Sequence, residues 1–196
     1  MREQKRSVVR RICLLAGICM LLAAALMMVS WQRGMRVSQQ QAADYVHALR
    51  TLLPEPQNAF PEERSNNAMP ALSLDGTDFI GILEMPRYGS ALPVCADWGR
   101  ISQYPCRFNG SIYDGTLQIG GSTQKGQYDF YREISAGDSV FFTDMQGGRY
   151  AFAVTDLHYA KHADQAALQR KEADLTLFIK NAYSFEYIII SCGASS

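Results

Sequence analysis

The chain begins with a long apolar run and continues with shorter segments in which apolar and polar residues alternate. Residues Ile12 to Trp31 form an almost unbroken apolar run of 20 residues. An α-helix of that length is roughly 30 Å long, enough to cross the hydrocarbon core of a bilayer. The run therefore predicts one membrane-spanning helix over residues 12–31.

The residues before this run are mostly basic. They include one acidic residue, Glu3, and five basic residues, Arg2, Lys5, Arg6, Arg10 and Arg11. Basic flanks stay in the cytoplasm, so we expect residues 1–11 to be a cytoplasmic tail and the C-terminal part to be extracellular. A cleaved signal peptide is the alternative, but the run is long for one and no small-x-small site follows it. The pattern favours an uncleaved signal anchor in the cell membrane.

A helical pattern follows the apolar run. Between Val37 and Leu53, apolar residues recur at helical spacing, at Ala42, Tyr45, Val46, Leu49 and Leu53. Three prolines then end the pattern in a polar stretch, which is typical of a flexible tether. We therefore interpret residues 32–76 as a stalk helix and proline-rich tether, and residues 77–196 as the folded domain.

Within residues 77–196 the pattern becomes that of β-strands, with turn residues between short apolar segments. Seven segments predict strands: Phe79–Met85, Ala91–Val94, Leu117–Ile119, Asp138–Asp144, Arg149–Leu157, Leu175–Ile179 and Tyr187–Ile190. Short helices are expected at 127–134 and 163–170. A mainly β domain of about this many strands closes most simply as a small barrel.

The charge is distributed unevenly along the chain. Residues 1–36 hold seven basic and one acidic residue, whereas residues 37–196 hold twelve basic and eighteen acidic. An acidic domain has no clustered basic face with which to neutralise phosphates. We therefore expect no nucleic-acid partner.

The cysteine and histidine residues do not by themselves indicate a particular disulfide or metal site. Of five cysteines, two lie in the apolar run, and Cys95, Cys106 and Cys192 lie in the domain. An exported domain can form a disulfide, but three thiols leave one over and spacing does not decide the pairing. His158 and His162 are four residues apart with no third ligand evident, so we expect neither a metal site nor a cofactor.

Several segments together resemble the sortases, the cysteine transpeptidases of Gram-positive cell surfaces, and in particular their class B-like members. They are Phe79-Ile-Gly-Ile-Leu-Glu-Met-Pro86, Tyr104-Pro-Cys-Arg-Phe-Asn-Gly-Ser111, Leu117-Gln-Ile-Gly-Gly-Ser-Thr123 and Asp174-Leu-Thr-Leu-Phe-Ile-Lys180, followed by the strand from Tyr187 to Cys192. The resemblance covers about residues 77–192. It implies a sortase-like closed β-barrel of about seven to eight strands with short helices, behind an N-terminal transmembrane anchor and stalk.

The resemblance also shows which residues stand at the family's catalytic positions. Its histidine falls on Ser122, its cysteine on Lys180 and its arginine on Tyr187. A lysine ammonium is protonated at neutral pH, a serine is no base there, and a tyrosine carries no positive charge. The resemblance thus implies a degenerate sortase that is not an enzyme but a binding or scaffolding partner in cell-surface protein or pilus assembly. Its partners would be the membrane, surface-protein sorting signals, pilins or active sortases.

Three further interpretations of these residues stay open. Ser122 and Lys180 could act as a nucleophile and base, as in serine–lysine enzymes, which would make the protein an active transpeptidase or peptidase that attaches surface proteins to the cell wall. Cys192 is a less favoured nucleophile, because a structural thiol is more common. Sequences of the family also suggest Cys106 and Cys192 as the first choice for a disulfide.

Overall fold

The structure, a computed structural model, describes residues 2–61, 68–124, 126–161, 173–181, 184 and 186–195. These residues form helix α1 (Arg2–Leu52) and ten strands: β1 (Gln57–Ala59), β2 (Leu72–Leu74), β3 (Thr77–Met85), β4 (Ser90–Cys95), β5 (Cys106–Asn109), β6 (Leu117–Ser122), β7 (Ser139–Asp144), β8 (Gly148–Ala160), β9 (Leu175–Lys180) and β10 (Tyr187–Ala194). Short 3-10 turns lie at Pro86–Tyr88, Trp98–Arg100 and Tyr131–Glu133. The chain divides into two compact units, Met1–Ser38 and Gln39–Ser196.

The first unit is helical and includes the apolar run at Ile12–Trp31. Over the part of the chain that the structure describes, no helix combines the length and the apolarity needed to cross a membrane. Within this run, the structure does not describe the side chains of residues 12–16, 30 and 31. The membrane span stays a prediction.

The second unit is a closed β-barrel. Its eight strands follow one another around the barrel in the order β3, β4, β5, β6, β9, β10, β8, β7, and β7 closes the circle by pairing with β3. The short strands β1 and β2 add to β8 and β3. This arrangement confirms the predicted mainly β fold and closed barrel.

Alternating side chains of each strand fill the barrel interior. On β8 the interior residues are Tyr150, Phe152 and Val154, each at most 2% exposed, as the alternating pattern predicts. On β9 they are Leu175, Leu177 and Ile179. The residues between them therefore point out of the barrel, and this fixes which face of β9 carries Phe178 and Lys180.

The C-terminal part of α1 belongs to the compact unit that contains the barrel. Val46 and Leu49 pack against Phe79 and Ile82 on the outer face of β3. Residues 57–59 after the helix also join the barrel, because the Gln57 amide donates to the Gly147 carbonyl at 2.9 Å and β1 pairs with β8. The structural boundary at Gln39 therefore differs from the expected domain start at residue 77.

Of the two helices expected within the domain, one falls on described residues. Residues 127–134 contain only the 3-10 turn Tyr131–Glu133, because Gln127 and Tyr128 use their backbone in turns instead of a regular helix. The segment 163–170 lies outside the described residues.

Candidate functional site

Three neighbouring strands bring the family-equivalent positions into one row. Ser122 at the end of β6 is the register partner of Lys180 at the end of the parallel strand β9. Lys180 is in turn paired with Tyr187 at the start of β10. Neighbouring strands lie about 4.8 Å apart, so the row spans about 10 Å. Residues paired directly across strands project from the same face of a sheet, and we call these three residues the site row.

The site row projects outward from the barrel. Phe178 precedes Lys180 by two residues and lies outside the interior cluster, whereas Ile179 between them belongs to it. Lys180 is exposed, and Ser122 and Tyr187 are partly exposed. The row is therefore accessible from solvent.

A buried glutamine fixes the end of β6. Gln127, which is 3% exposed, accepts a hydrogen bond from the Ser122 amide at 2.9 Å and donates one to the Ile101 carbonyl at 3.2 Å. The Ser122 carbonyl accepts from the Tyr128 amide at 3.2 Å. Gln127 therefore holds the backbone of the site row, a role that the sequence pattern did not indicate.

The side chains of the site row are not arranged for proton transfer. The Ser122 hydroxyl accepts from the Gln124 amide at 3.5 Å. The Lys180 ammonium makes no ion pair with any residue that the structure describes. Glu186, which follows β9 and accepts from the Ser184 hydroxyl at 3.3 Å, therefore does not pair with it.

One imidazole does lie on the same face of the sheet. His158 on β8 is the register partner of Ile189 on β10, which is in turn the register partner of Phe178 on β9. The His158 Nδ1 atom lies 3.2 Å from a carboxylate oxygen of Asp156. Three strand spacings separate β8 from β6, so His158 lies roughly 14 Å from the Ser122 strand. Proton transfer needs heavy atoms about 3 Å apart. His158 therefore cannot replace the imidazole that Ser122 lacks, and His162 lies outside the described residues.

An aromatic cluster covers the face next to the site row. Phe178 is 4% exposed, and its ring centroid lies 5.8 Å from that of Trp98 and 5.3 Å from that of Phe108. Gly120, the register partner of Phe178, makes room for this contact, because a Cβ there would lie 2.5 Å from Trp98. We call Trp98, Phe108 and Phe178 the aromatic cover. It closes the sheet surface beside Lys180.

Cys192 lies in the barrel interior. It is 0% exposed, and burial raises the pKa of its thiol to about 12. A buried neutral thiol is not a nucleophile. The hypothesis that Cys192 is a displaced catalytic residue therefore does not agree with its position.

The expected pairing of Cys106 with Cys192 is not formed. Both are free thiols that belong to different hydrophobic clusters, one outside the barrel wall and one inside it. Cys106 lies beside Cys95 instead, because β5 pairs with β4 at these two residues. The strand β5, absent from the predicted elements, decides this contact.

Other features of the described chain lie away from the site row. A cleft of about 280 Å³ opens between β1 and the β7–β8 turn, lined by residues that include Gln57, Asp144 and Tyr150. Within the described ranges, no three His, Cys, Asp or Glu side chains are grouped as metal ligands would be. The cleft is therefore separate from the site row and the aromatic cover.

Neither a protein-family model nor a curated protein matches this sequence. Solved structures do match the fold. The lid mutant of sortase A from Corynebacterium diphtheriae is 17% identical with a TM-score of 0.53, over 61% of this chain and 72% of that one. Sortase C1 from Streptococcus agalactiae is 15% identical with a TM-score of 0.51, over 63% and 71%. Sortase C1 from Streptococcus suis is 15% identical with a TM-score of 0.51, over 60% and 73%. The domain therefore has the sortase fold.

Proposed function

We propose that this protein is a membrane-anchored, extracytoplasmic member of the sortase fold that binds a surface-protein partner and does not catalyse transpeptidation. The observation that carries this proposal is the site row. Three strands place Ser122, Lys180 and Tyr187 side by side at the positions where the sequence resemblance puts the catalytic histidine, cysteine and arginine.

The chemistry of the row supports inactivity. Transpeptidation by a sortase requires a thiolate nucleophile, a group that carries protons and a cation that stabilises the oxyanion. The row supplies a hydroxyl, an ammonium and a phenol. His158 is too far away to act as the base, and Cys192 is buried with its pKa raised to about 12. Loss of all three groups removes most of the rate enhancement that such a site provides.

The surface beside the row supports a binding role. Trp98 and Phe108 are 39% and 47% exposed, and both lie next to the exposed Lys180 face of β9. Exposed aromatic rings next to a cation suit an extended peptide with apolar side chains and a carboxylate or carbonyl oxygen. Sorting signals, pilins or an active sortase would present such a segment.

The anchor supports the placement at the cell surface. The apolar run at residues 12–31, with basic residues before it, would hold the domain close to the outer face of the membrane. Tethering raises the effective concentration of a weak binder near membrane-bound partners.

Turnover and binding are tested together on the purified full chain in detergent. With Leu-Pro-x-Thr-Gly peptides and an amine acceptor we expect no product above the blank, while a fluorescent peptide binds. Trp98→Ala is expected to weaken that binding about ten-fold by removing one exposed aromatic contact. Phe60→Ala is the control, because Phe60 is 61% exposed but lies outside the aromatic cover. Absence of binding to sorting peptides, pilins and sortases alike would contradict the proposal.

A serine–lysine transpeptidase or peptidase is the second candidate. It is favoured by one observation, the direct pairing of Ser122 with Lys180 on adjacent strands. Turnover that disappears in both Ser122→Ala and Lys180→Ala, but survives in Cys192→Ala, would replace the binding role by this activity.

A further inference from the structure

Two cysteines meet on the outer face of the barrel. Cys95 ends β4 and Cys106 begins β5, and they are register partners in a parallel pair. The Cys95 amide donates to the Pro105 carbonyl at 2.8 Å, which holds the two strands together at this point. Neighbouring strands place Cα atoms about 5 Å apart, within the range of about 4.4–6.8 Å that a disulfide requires.

The two cysteine side chains lie in the same apolar cluster. Both cysteines are 0% exposed, and Leu49, Phe79 and Ile82 belong to the same cluster. The Cys106 thiol also lies 3.3 Å from the Tyr104 carbonyl. Cys192 belongs to the interior cluster, so among these three cysteines Cys95 and Cys106 are the two that lie together.

The two thiols are unequal. The neighbouring Cys106 thiol lowers the pKa of the Cys95 thiol, and the same interaction raises the pKa of Cys106 above its ordinary value. A thiolate is the attacking species in disulfide exchange. Cys95 is therefore the nucleophile of the pair and Cys106 the resolving thiol.

The ten residues between the two cysteines include Trp98 of the aromatic cover. Cys106 is also the register partner of Gly120, over which Trp98 lies. We propose that Cys95 and Cys106 form a disulfide that closes the segment 96–105 and fixes Trp98 against Gly120 and Phe178. This inference goes beyond the proposed binding role and does not depend on it.

The reaction is a two-step exchange with a disulfide oxidant, either a small molecule or a thiol–disulfide oxidoreductase. The Cys95 thiolate attacks one oxidant sulfur, the oxidant's S–S bond breaks, and its first thiolate leaves. The Cys106 sulfur then attacks the Cys95 sulfur of the mixed disulfide and releases the second thiolate. The two protons of the cysteines pass to the two leaving thiolates, so the pair loses two electrons and the oxidant gains two.

The test counts thiols in the full chain. The purified protein in detergent is incubated with glutathione disulfide, denatured, alkylated with a maleimide and weighed by intact mass spectrometry. Of five cysteines we expect three to be alkylated after oxidation and all after reduction, with a peptide that links Cys95 to Cys106. Alkylation of every cysteine after oxidation, or a link that includes Cys192, would overturn the proposal.

Variants separate the disulfide from a general effect on folding. Reduction is expected to lower the Tm of the wild-type protein by roughly 5 to 10 °C, and Cys95→Ala to abolish the difference between oxidised and reduced samples. Cys192→Ala is the matched control, which keeps that difference. In a Trp31→Phe background, where Trp98 is the remaining tryptophan, reduction should increase quenching of its fluorescence by acrylamide. Unchanged quenching would contradict the part of the proposal that concerns Trp98.

Discussion

Asp138, 5% exposed and directly before β7, shows how this barrel accommodates a charged side chain. It accepts hydrogen bonds from the Tyr88 hydroxyl and from the Ser135 amide at 2.8 Å, and it pairs with Arg87 at 2.5 Å. Burial alone would raise the pKa of its carboxyl, but these donors together hold that pKa below its ordinary value. The folded state thus favours the carboxylate, which ties the turn Pro86–Tyr88 to β7.

The first prediction concerns this carboxylate. Asp138→Asn removes acceptors from buried donors and should lower the free energy of unfolding by about 1 to 3 kcal/mol at pH 7. The pKa of the Asp138 carboxyl is lower in the folded state than in the unfolded state. Its contribution to the free energy of unfolding is therefore fully present above the ordinary aspartate pKa of about 3.9, and it is lost as the pH falls through the folded pKa. Urea unfolding of both proteins from pH 7 to pH 2.5 should show their stabilities converging below about pH 4. The exposed Asp129→Asn is the control, and a gap that is constant with pH would contradict the assignment.

Gly120 carries the second prediction. A Cβ at this position would lie 2.5 Å from Trp98 and 2.8 Å from Phe178. Gly120→Ala should therefore displace the aromatic cover and cost about 1 to 3 kcal/mol of stability, measured by urea unfolding. In a Trp98→Ala background the same change should cost less, since one of the two obstructing rings is gone. Equal costs in the two backgrounds would show that Trp98 does not occupy the space over Gly120.

Some residues of the site could be found from the sequence and others could not. The apolar pattern predicts the strands at whose ends we find Ser122, Lys180 and Tyr187. The sortase-like motifs and the predicted strands together therefore located these three residues. Trp98 contacts Phe178 from 80 residues away, and no local pattern reports such a contact. The pairing of Cys106 was missed for the same reason, because its partner depends on the register of two strands.

At the scale of the elements, the length of a strand decided whether the sequence revealed it. The seven predicted strands are at least six residues long in the structure, whereas β1 and β2 have three residues each and β5 has four. Alternation over three or four residues cannot be told from chance. β1 also follows two prolines in a polar stretch, where its order depends on pairing with β8 and not on its own composition.

The end of α1 gives the third prediction. Leu49 is 0% exposed in the cluster that faces β3, whereas Leu52, three residues further, is 60% exposed. Leu49→Ala should lower the free energy of unfolding by about 2 to 4 kcal/mol, and Leu52→Ala should change it by less than about 0.5 kcal/mol. Urea denaturation of both variants measures the difference. Similar small effects would mean that the helix end is an independent stalk and not part of the folded domain.

At the scale of the whole molecule, the closed barrel was predictable but its strand order was not. Alternation in the sequence shows that strands exist and which face is buried. It does not show that β7 closes the barrel between β3 and β8, or that β6 and β9 run parallel. Those pairings join distant segments. They put Ser122 beside Lys180. The resemblance to sortases predicted this proximity, and the periodicity of the sequence did not.

The fourth prediction concerns the orientation of the chain. If residues 12–31 anchor the protein with its N-terminus inside, antibodies should label a C-terminal tag on intact protoplasts, and should label an N-terminal tag only after permeabilisation. Basic residues before a membrane span favour the cytoplasmic side, so replacing Arg10 and Arg11 with glutamate should reduce the fraction of chains with that orientation. Labelling of neither tag before permeabilisation would place the domain inside the cell.

The position of β10 in the barrel has a consequence for the order of assembly. This strand lies between β8 and β9, both of which precede it in the chain. A polypeptide that emerges from its N-terminus therefore presents two unpaired strand edges and an open apolar interior until residues 187–194 have followed. Closure of the barrel along this route therefore waits for the last strand. A chain that stalls before β10 would be a substrate for quality-control proteases.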